Sequence, residues 1–382
     1  MHCLSPLRIG LLLAVSAWPS VASAAEFVIS GPRAMGMGGA GVAVTTNALA
    51  TYWNPAGLAM TQIVDIRIQG GGQAIDRLGM GDALHDLENF DSGNTSDENR
   101  ARARDIADRI NRPGAAVPVN GSAGLYVKGH LGEHAFGFNV SDVATGGGFV
   151  SEPVSCKPNP NCTGAPLSVS GTMALRGLEA RQLAFSYAYA FSDKTFAIGI
   201  TAKVIQGASY NGSTALQGGS GVSTTDHFGK PNISTTYGID IGAIYRPSSW
   251  VRVGVVAKDI NTPTFDAAGG GTLKLEPQVR VGLAVNPYST LTLTADVDAT
   301  SNKTFVPNVK SQLLSFGLEQ TVLSEFLSFR IGTFKNMQDA SAPFVPTAGL
   351  GIRWFNFRAD AGGGYDFREK GALVSASVSM TF

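Results

Sequence analysis

Charge is scarce in this chain. Of its 382 residues only 15% are charged, and 29 Lys and Arg balance 29 Asp and Glu. A nucleic-acid surface needs a basic excess, so that class of partner is excluded. Long apolar runs are missing too: beyond residue 24 none approaches the roughly 18 residues a spanning helix requires, which excludes a helical membrane protein. Cysteine is limited to Cys3, Cys156 and Cys162, and two cysteines in one loop are too few for a zinc site. No G-x-S-x-G occurs, and His85 and His227 stand alone in loop segments, so a serine-hydrolase arrangement is absent. No catalytic, metal or cofactor site is expected. Glycine, by contrast, is abundant at 47 residues, and a glycine-rich, charge-poor chain implies many strands and turns.

The first residues read as an export leader. Arg8 precedes the apolar run Ile9 to Val15, and Ala22-Ser23-Ala24 supplies a small-x-small cleavage site. Residues 1–24 are therefore expected to be removed on export. The apolar run is about half the length a membrane anchor needs.

From Val64 onward the dominant period is two. In "GALVSASVSMTF", Ala372, Val374, Ala376, Val378, Met380 and Phe382 alternate with a small polar set, and "RQLAFSYAYAF" and "TLTLTADVD" repeat the pattern. Strands are expected near 64–75, 119–129, 133–143, 177–190, 194–209, 233–246, 250–260, 273–286, 290–299, 311–319, 326–335, 345–354, 357–367 and 372–382. About fourteen such segments of some ten residues fit an all-β, antiparallel transmembrane barrel, in which the apolar face meets lipid and the polar face lines the lumen. Short connections, such as 130–132 and 191–193, alternate with long ones, such as 76–118 and 144–176. Outer-membrane barrels have short periplasmic turns and long outer loops, so this alternation puts both ends of the barrel on the periplasmic side.

The lumen parity collects Asp240, Arg252, Lys258, Glu276, Arg280, Asp296, Glu319, Arg330, Arg353, Arg358 and Asp360. Near-equal numbers of each sign fit a lattice of paired charges bracing the wall or holding a plug, or else a polar permeation path. The first long loop carries a helical insertion at about 77–114: Leu84, Leu87 and Phe90 fall near one face, Thr95 and Glu98 form a capping box, and Ala103, Ile106, Ala107 and Ile110 follow at helical spacing before Pro113-Gly114. It reads as a lid on the barrel mouth or as an apolar face for a hydrophobic ligand. Cys156 and Cys162, in "CKPNPNC", are expected to form a disulfide in an oxidising compartment.

Two motifs resemble sites without their context. "HLGEH", His130 to His134, matches a zinc-peptidase pattern, but Gly132 at a turn between strands prevents one helical face from presenting both histidines. Gly36, Gly38 and Gly41 spell G-x-G-x-x-G, yet Trp53-Asn54-Pro55 interrupts the unit a dinucleotide would need, and no acid stands at the right distance.

The stretch "GPRAMGMGGAGVAVTTNALATYWNPAGLA" resembles the N-terminal signature of the FadL/TodX superfamily of outer-membrane barrels, and within it the branch of conjugal transfer TraF proteins. The resemblance implies that residues 25–60 form a hatch, or plug, inside a barrel of residues 61–382. Its motif residues are Gly36, Gly38, Gly39, Gly41, Trp53, Asn54, Pro55, Ala56 and Gly57. It also implies that Phe382 ends the strand read by the barrel assembly machinery, and that apolar compounds pass from an outer groove through the wall or the barrel. Two functions follow as expectations: passive uptake of hydrophobic small molecules, fatty-acid-like or aromatic, through a hatch-gated barrel, or a non-transporting outer-membrane role as scaffold or anchor for a secretion or conjugal-transfer complex, with an envelope protein as partner. A continuous apolar groove from the loop helices to Asn54-Pro55 would favour the first, and a lumen closed by ion pairs the second.

Overall fold

The computed structural model describes residues 21–23 and 26–382, apart from 158, 160, 164–166, 192 and 221–228. His227 lies outside the described residues. Of the leader segment, only Val21–Ser23 is described, as a short strand parallel to Thr272–Lys274.

Fourteen antiparallel strands close into one barrel. They are β1 (Asp65–Ala74), β2 (Ala116–Leu131), β3 (His134–Lys157), β4 (Ser168–Phe191), β5 (Phe196–Gln217), β6 (Asn232–Ser248) and β7 (Val251–Lys258), then β8 (Gln278–Tyr288), β9 (Leu291–Asp298), β10 (Leu313–Val322), β11 (Leu327–Asn336), β12 (Val345–Trp354), β13 (Phe357–Asp366) and β14 (Gly371–Thr381). Each pairs with its sequence neighbours, and β14 closes on β1 through Val378↔Ile68 and the pairs beside it. Every strand expected from the alternation is present in order. No helix is long and apolar enough to cross a membrane among the described residues.

The alternation dictates the faces. On β1, Ile66 and Ile68 point out while Asp65, Arg67 and Gln69 are buried within. Phe138, Val140, Leu183, Phe185, Ile198, Ile200, Phe329 and Ile331 continue the outward apolar belt. Trp250, Tyr288, Trp354 and Phe355 crowd the short-turn end of it, as an aromatic girdle at a membrane surface does. Lipid is the solvent that makes such a surface stable.

β3, β4 and β5 run 24, 24 and 22 residues, far beyond the expected ends. A tilted span needs about 9–11 residues, so the remainder rises above the membrane. No lipid writes the period-two pattern there, which is why Gly146-Gly147-Gly148 and its polar neighbours read as loop. The expected strand at 273–286 also splits: Thr272–Lys274 pairs with Thr264–Asp266, and only Gln278–Tyr288 joins the wall.

The helical insertion forms α3 (Met80–Glu88) and α4 (Asp97–Ile110). The cap of α4 is Ser96, whose hydroxyl accepts from Asn99 N, rather than the box at Thr95 and Glu98. Its buried stripe is the expected one, Ala103, Ile106, Ala107 and Ile110. That stripe does not cover the mouth. It packs with Met80, Ala83 and Leu87 against Met173, Leu175 and Leu216, outward-parity residues of the raised β4 and β5. The hairpin therefore leans on the outside of the wall, and Cys156–Cys162, bonded as expected, lies in the same cluster.

Candidate functional site

The lumen is filled from its N-terminal end. Short helices α1 (Pro32–Gly36) and α2 (Ala50–Trp53) and a 3-10 turn at Pro55–Met60 make a compact insert whose residues are almost all buried. The glycines of the opening motif set its shape. Gly38 sits at φ +67°, and a Cβ there would lie 2.3 Å from the Thr333 carbonyl oxygen of the wall. A Cβ on Gly41 would strike the Trp53 ring at 2.4 Å. These close approaches, not a phosphate, account for the glycines. Trp53 Nε1 donates to Ser30 O at 2.8 Å and Tyr52 Oη to Val28 O at 2.7 Å, tying the start of the insert to its middle.

Asn54 is the most heavily used side chain of the motif. Its amide donates to Val42 O, Ala243 O and Val255 O at 3.2–3.3 Å, and its Oδ1 accepts from Ala56 N at 3.2 Å. One residue thus caps the turn that begins at Pro55 and fixes it to β6 and β7. Gly199 and Gly242 leave the wall room for it, since a Cβ on either would meet Pro55 or Asn54 at 2.5 Å or less.

Charged groups lock the insert to the wall. Glu319 accepts from Arg33 of α1 and from Arg330, each at 2.6 Å, and Arg330 continues to Asp360 at 2.8 Å. Asp360 also holds Arg358 at 3.0 Å and Arg67 at 3.5 Å. Elsewhere Asp296 Oδ2 accepts from Gly41 N and Val42 N at 2.7 and 2.8 Å, Arg280 pairs with Asp298 at 2.5 Å, and Lys203 lies between Asp240 and Asp259 at 2.8 and 2.7 Å. Lys258 and Arg280 flank the Phe27 ring at 4.6 and 4.0 Å from its centroid. Lys128 donates to Thr46 O and Thr61 O at 2.7 and 2.8 Å near the short-turn end.

Of the expected lumen charges, Asp240, Lys258, Arg280, Asp296, Glu319, Arg330 and Asp360 are buried in the lumen. Arg252 reaches Asn286 at 3.2 Å, and Arg358 joins the network at Asp360. Arg353 lies exposed at the short-turn rim, paired with Glu325 at 2.6 Å. Glu276 leaves the wall with the split strand and pairs with Lys303 at 2.8 Å in the outer loops. Arg67, Lys203 and Asp298 stand on the same parity as the buried lumen charges and are buried with them. Arg33 and Asp259 lie outside the barrel strands, where parity says nothing.

The mouth is closed by loops. Phe265, Leu273 and Leu275 pack inward on Leu178, Ala180 and Ile205, while Val306 meets Ala116, Phe149 and Ala174. The zinc-like motif is pulled apart by its strands: His134 ends on the outer face with Nδ1 2.8 Å from Tyr187 Oη. No cluster of three or more metal-binding side chains occurs among the described residues.

Outside the wall, under α3, lies a groove of about 900 Å³. Leu84 roofs it, Val117, Val119, Met173 and Leu175 flank it, and Gly121, Gly146 and Gly177 thin the wall behind it. Asp142, Glu179 and Tyr210 stand at its other end. Counting residues up from His134 at about 2.5 Å of height each, these polar groups sit roughly 20–30 Å above the short turns, at the outer edge of the lipid belt. The groove is not continuous with Asn54-Pro55, which lie behind Gly199 and Gly242.

The toluene transporter TbuX of Ralstonia pickettii superposes with a TM-score of 0.54 at 16% identity, over 92% of this chain and 97% of that one. The CymD monoaromatic hydrocarbon channel gives 0.53 at 13%, over 93% and 97%, and a Pseudomonas aeruginosa FadL homologue 0.50 at 12%, over 93% and 98%. At such identities the likeness is one of fold. No curated protein matches the sequence. The family of the F plasmid transfer operon TraF protein matches residues 51–298, well over half of the chain, and the chain belongs to that family.

Proposed function

We propose that the protein admits apolar small molecules across the outer membrane, receiving them at the groove under α3 and passing them inward past the hatch. The observation that carries this reading is the groove: a recess of about 900 Å³ with largely aliphatic walls on the outer face of the barrel. Its volume and lining suit a small apolar ligand. The similar folds of a toluene transporter and a hydrocarbon channel support the class of cargo.

Among the described residues the lumen is packed by the insert. Ion pairs and backbone contacts seal the insert to the wall, so passage requires residues 26–60 to shift and their contacts to re-form afterwards. That closure is also what favours the second reading, a scaffold or anchor for an envelope complex, because a lattice of buried ion pairs resists displacement. Export by a cleaved leader and assembly through the strand ending at Phe382 belong to both.

Uptake separates them. Cells producing the protein should accumulate labelled hydrophobic compounds, aromatic or fatty-acid-like, faster than cells lacking it. Equal uptake across a broad panel, together with a co-purifying envelope partner, would reject transport in favour of the scaffold.

A further inference from the structure

The polar end of the groove carries information about what the groove takes. Asp142 and Glu179 point outward from neighbouring strands and share one cation. Arg181 Nη2 lies 2.6 Å from Glu179 and its Nε 3.5 Å from Asp142, while Tyr210 Oη donates to Glu179 at 3.2 Å. Arg176, also at the groove margin, is turned to the Phe149 ring, 5.2 Å from its centroid. Two carboxylates thus face one guanidinium and lie within hydrogen-bond reach of each other.

An apolar molecule lying along Leu84, Val117 and Leu175 would bring its end group to these acids. A carboxylate there meets two like charges and finds Arg181 already engaged. An ammonium group brings positive charge and N–H donors to the paired carboxylates. We infer that the groove selects apolar amines and discriminates against apolar carboxylates. This rests on the uptake reading, and assigns the class of compound to it.

The test uses one phenylbutyl body with three ends: 4-phenylbutylamine, 4-phenylbutanol and 4-phenylbutyrate. Equilibrium dialysis at pH 7 against the full-length protein in lipid nanodiscs, with empty nanodiscs subtracted, gives the three affinities. The amine should bind about tenfold more tightly than the carboxylate, with the alcohol between them. In Asp142→Asn/Glu179→Gln only the cations Arg181 and Arg176 remain at the groove, and the order should reverse. Leu84→Trp, which fills the groove, should weaken all three. Equal affinities, an order unchanged in the double variant, or amine binding unaffected by L84W would overturn the inference, and if the alcohol still binds, the uptake reading survives that failure. Binding of none of the three would remove both.

Discussion

Glu319 shows how much one side chain of this lumen does. It neutralises Arg33 of the hatch and Arg330 of the wall from a position almost wholly out of water. Removing one partner of a buried ion pair strands the others, which costs about 3–5 kcal/mol. Glu319→Gln should therefore lower barrel stability by about 3 kcal/mol in urea titrations, and adding Arg33→Met should return part of it. Gly38 makes a second, sharper case. Alanine there would need φ +67° and a Cβ 2.3 Å from a backbone oxygen, so Gly38→Ala should prevent the hatch from seating, seen as new protease sites within residues 26–60. The glycines and Asn54 were legible in the sequence as a motif, but their partners were not. Nothing in "NPAG" says that the amide will reach Ala243 O and Val255 O about 200 residues away.

At the scale of elements, the strands in lipid were readable because lipid imposes a strict period of two on them. The raised ends of β3 to β5 were not, since water and the helical hairpin share their outward face. The hairpin's own apolar stripe was visible in Ala103 and Ile106, whereas the surface it covers was not. Cys156–Cys162 pins this region. Its loss should cost about 2 kcal/mol locally: Cys156→Ser/Cys162→Ser should speed proteolysis of α4 and of residues 157–168, with the heat-modification temperature of the barrel unchanged.

The loops are also tied by charge. Arg77 pairs with Asp339 at 2.7 Å. Burial works to raise the Asp339 carboxyl, but the Ser341 hydroxyl and Arg77 outweigh it and hold it below its ordinary range. A depressed folded value means that the contribution is complete above the unfolded value, about pH 4, and is lost as pH falls through the folded one. Proteolysis of the 336–344 loop should thus be steady from about pH 8 to 5 and rise below about pH 4. Asp339→Asn should show the raised rate throughout.

For the whole molecule, the alternation of short and long connections announced a membrane barrel, and the balance of lumen charges announced a lattice. What could not be read is that, among the described residues, the insert, ion pairs and mouth loops pack the lumen while a recess of about 900 Å³ lies outside the wall. That depends on contacts between residues hundreds of positions apart. If apolar cargo passes through the lumen as proposed, residues 26–60 must move to let it by. Thr51 Oγ1 of α2 and Asn139 Nδ2 of β3 are 3.0 Å apart, so cysteines at both positions, in Thr51→Cys/Asn139→Cys, lie within reach of a short bis-methanethiosulfonate crosslinker that would tie residues 26–60 to the wall through reducible disulfides. Uptake of a labelled apolar compound should fall to the level of cells lacking the protein when this variant is crosslinked, and recover on reduction, with the wild type unaffected by either treatment. Uptake undiminished in the crosslinked variant would contradict a hatch-gated passage.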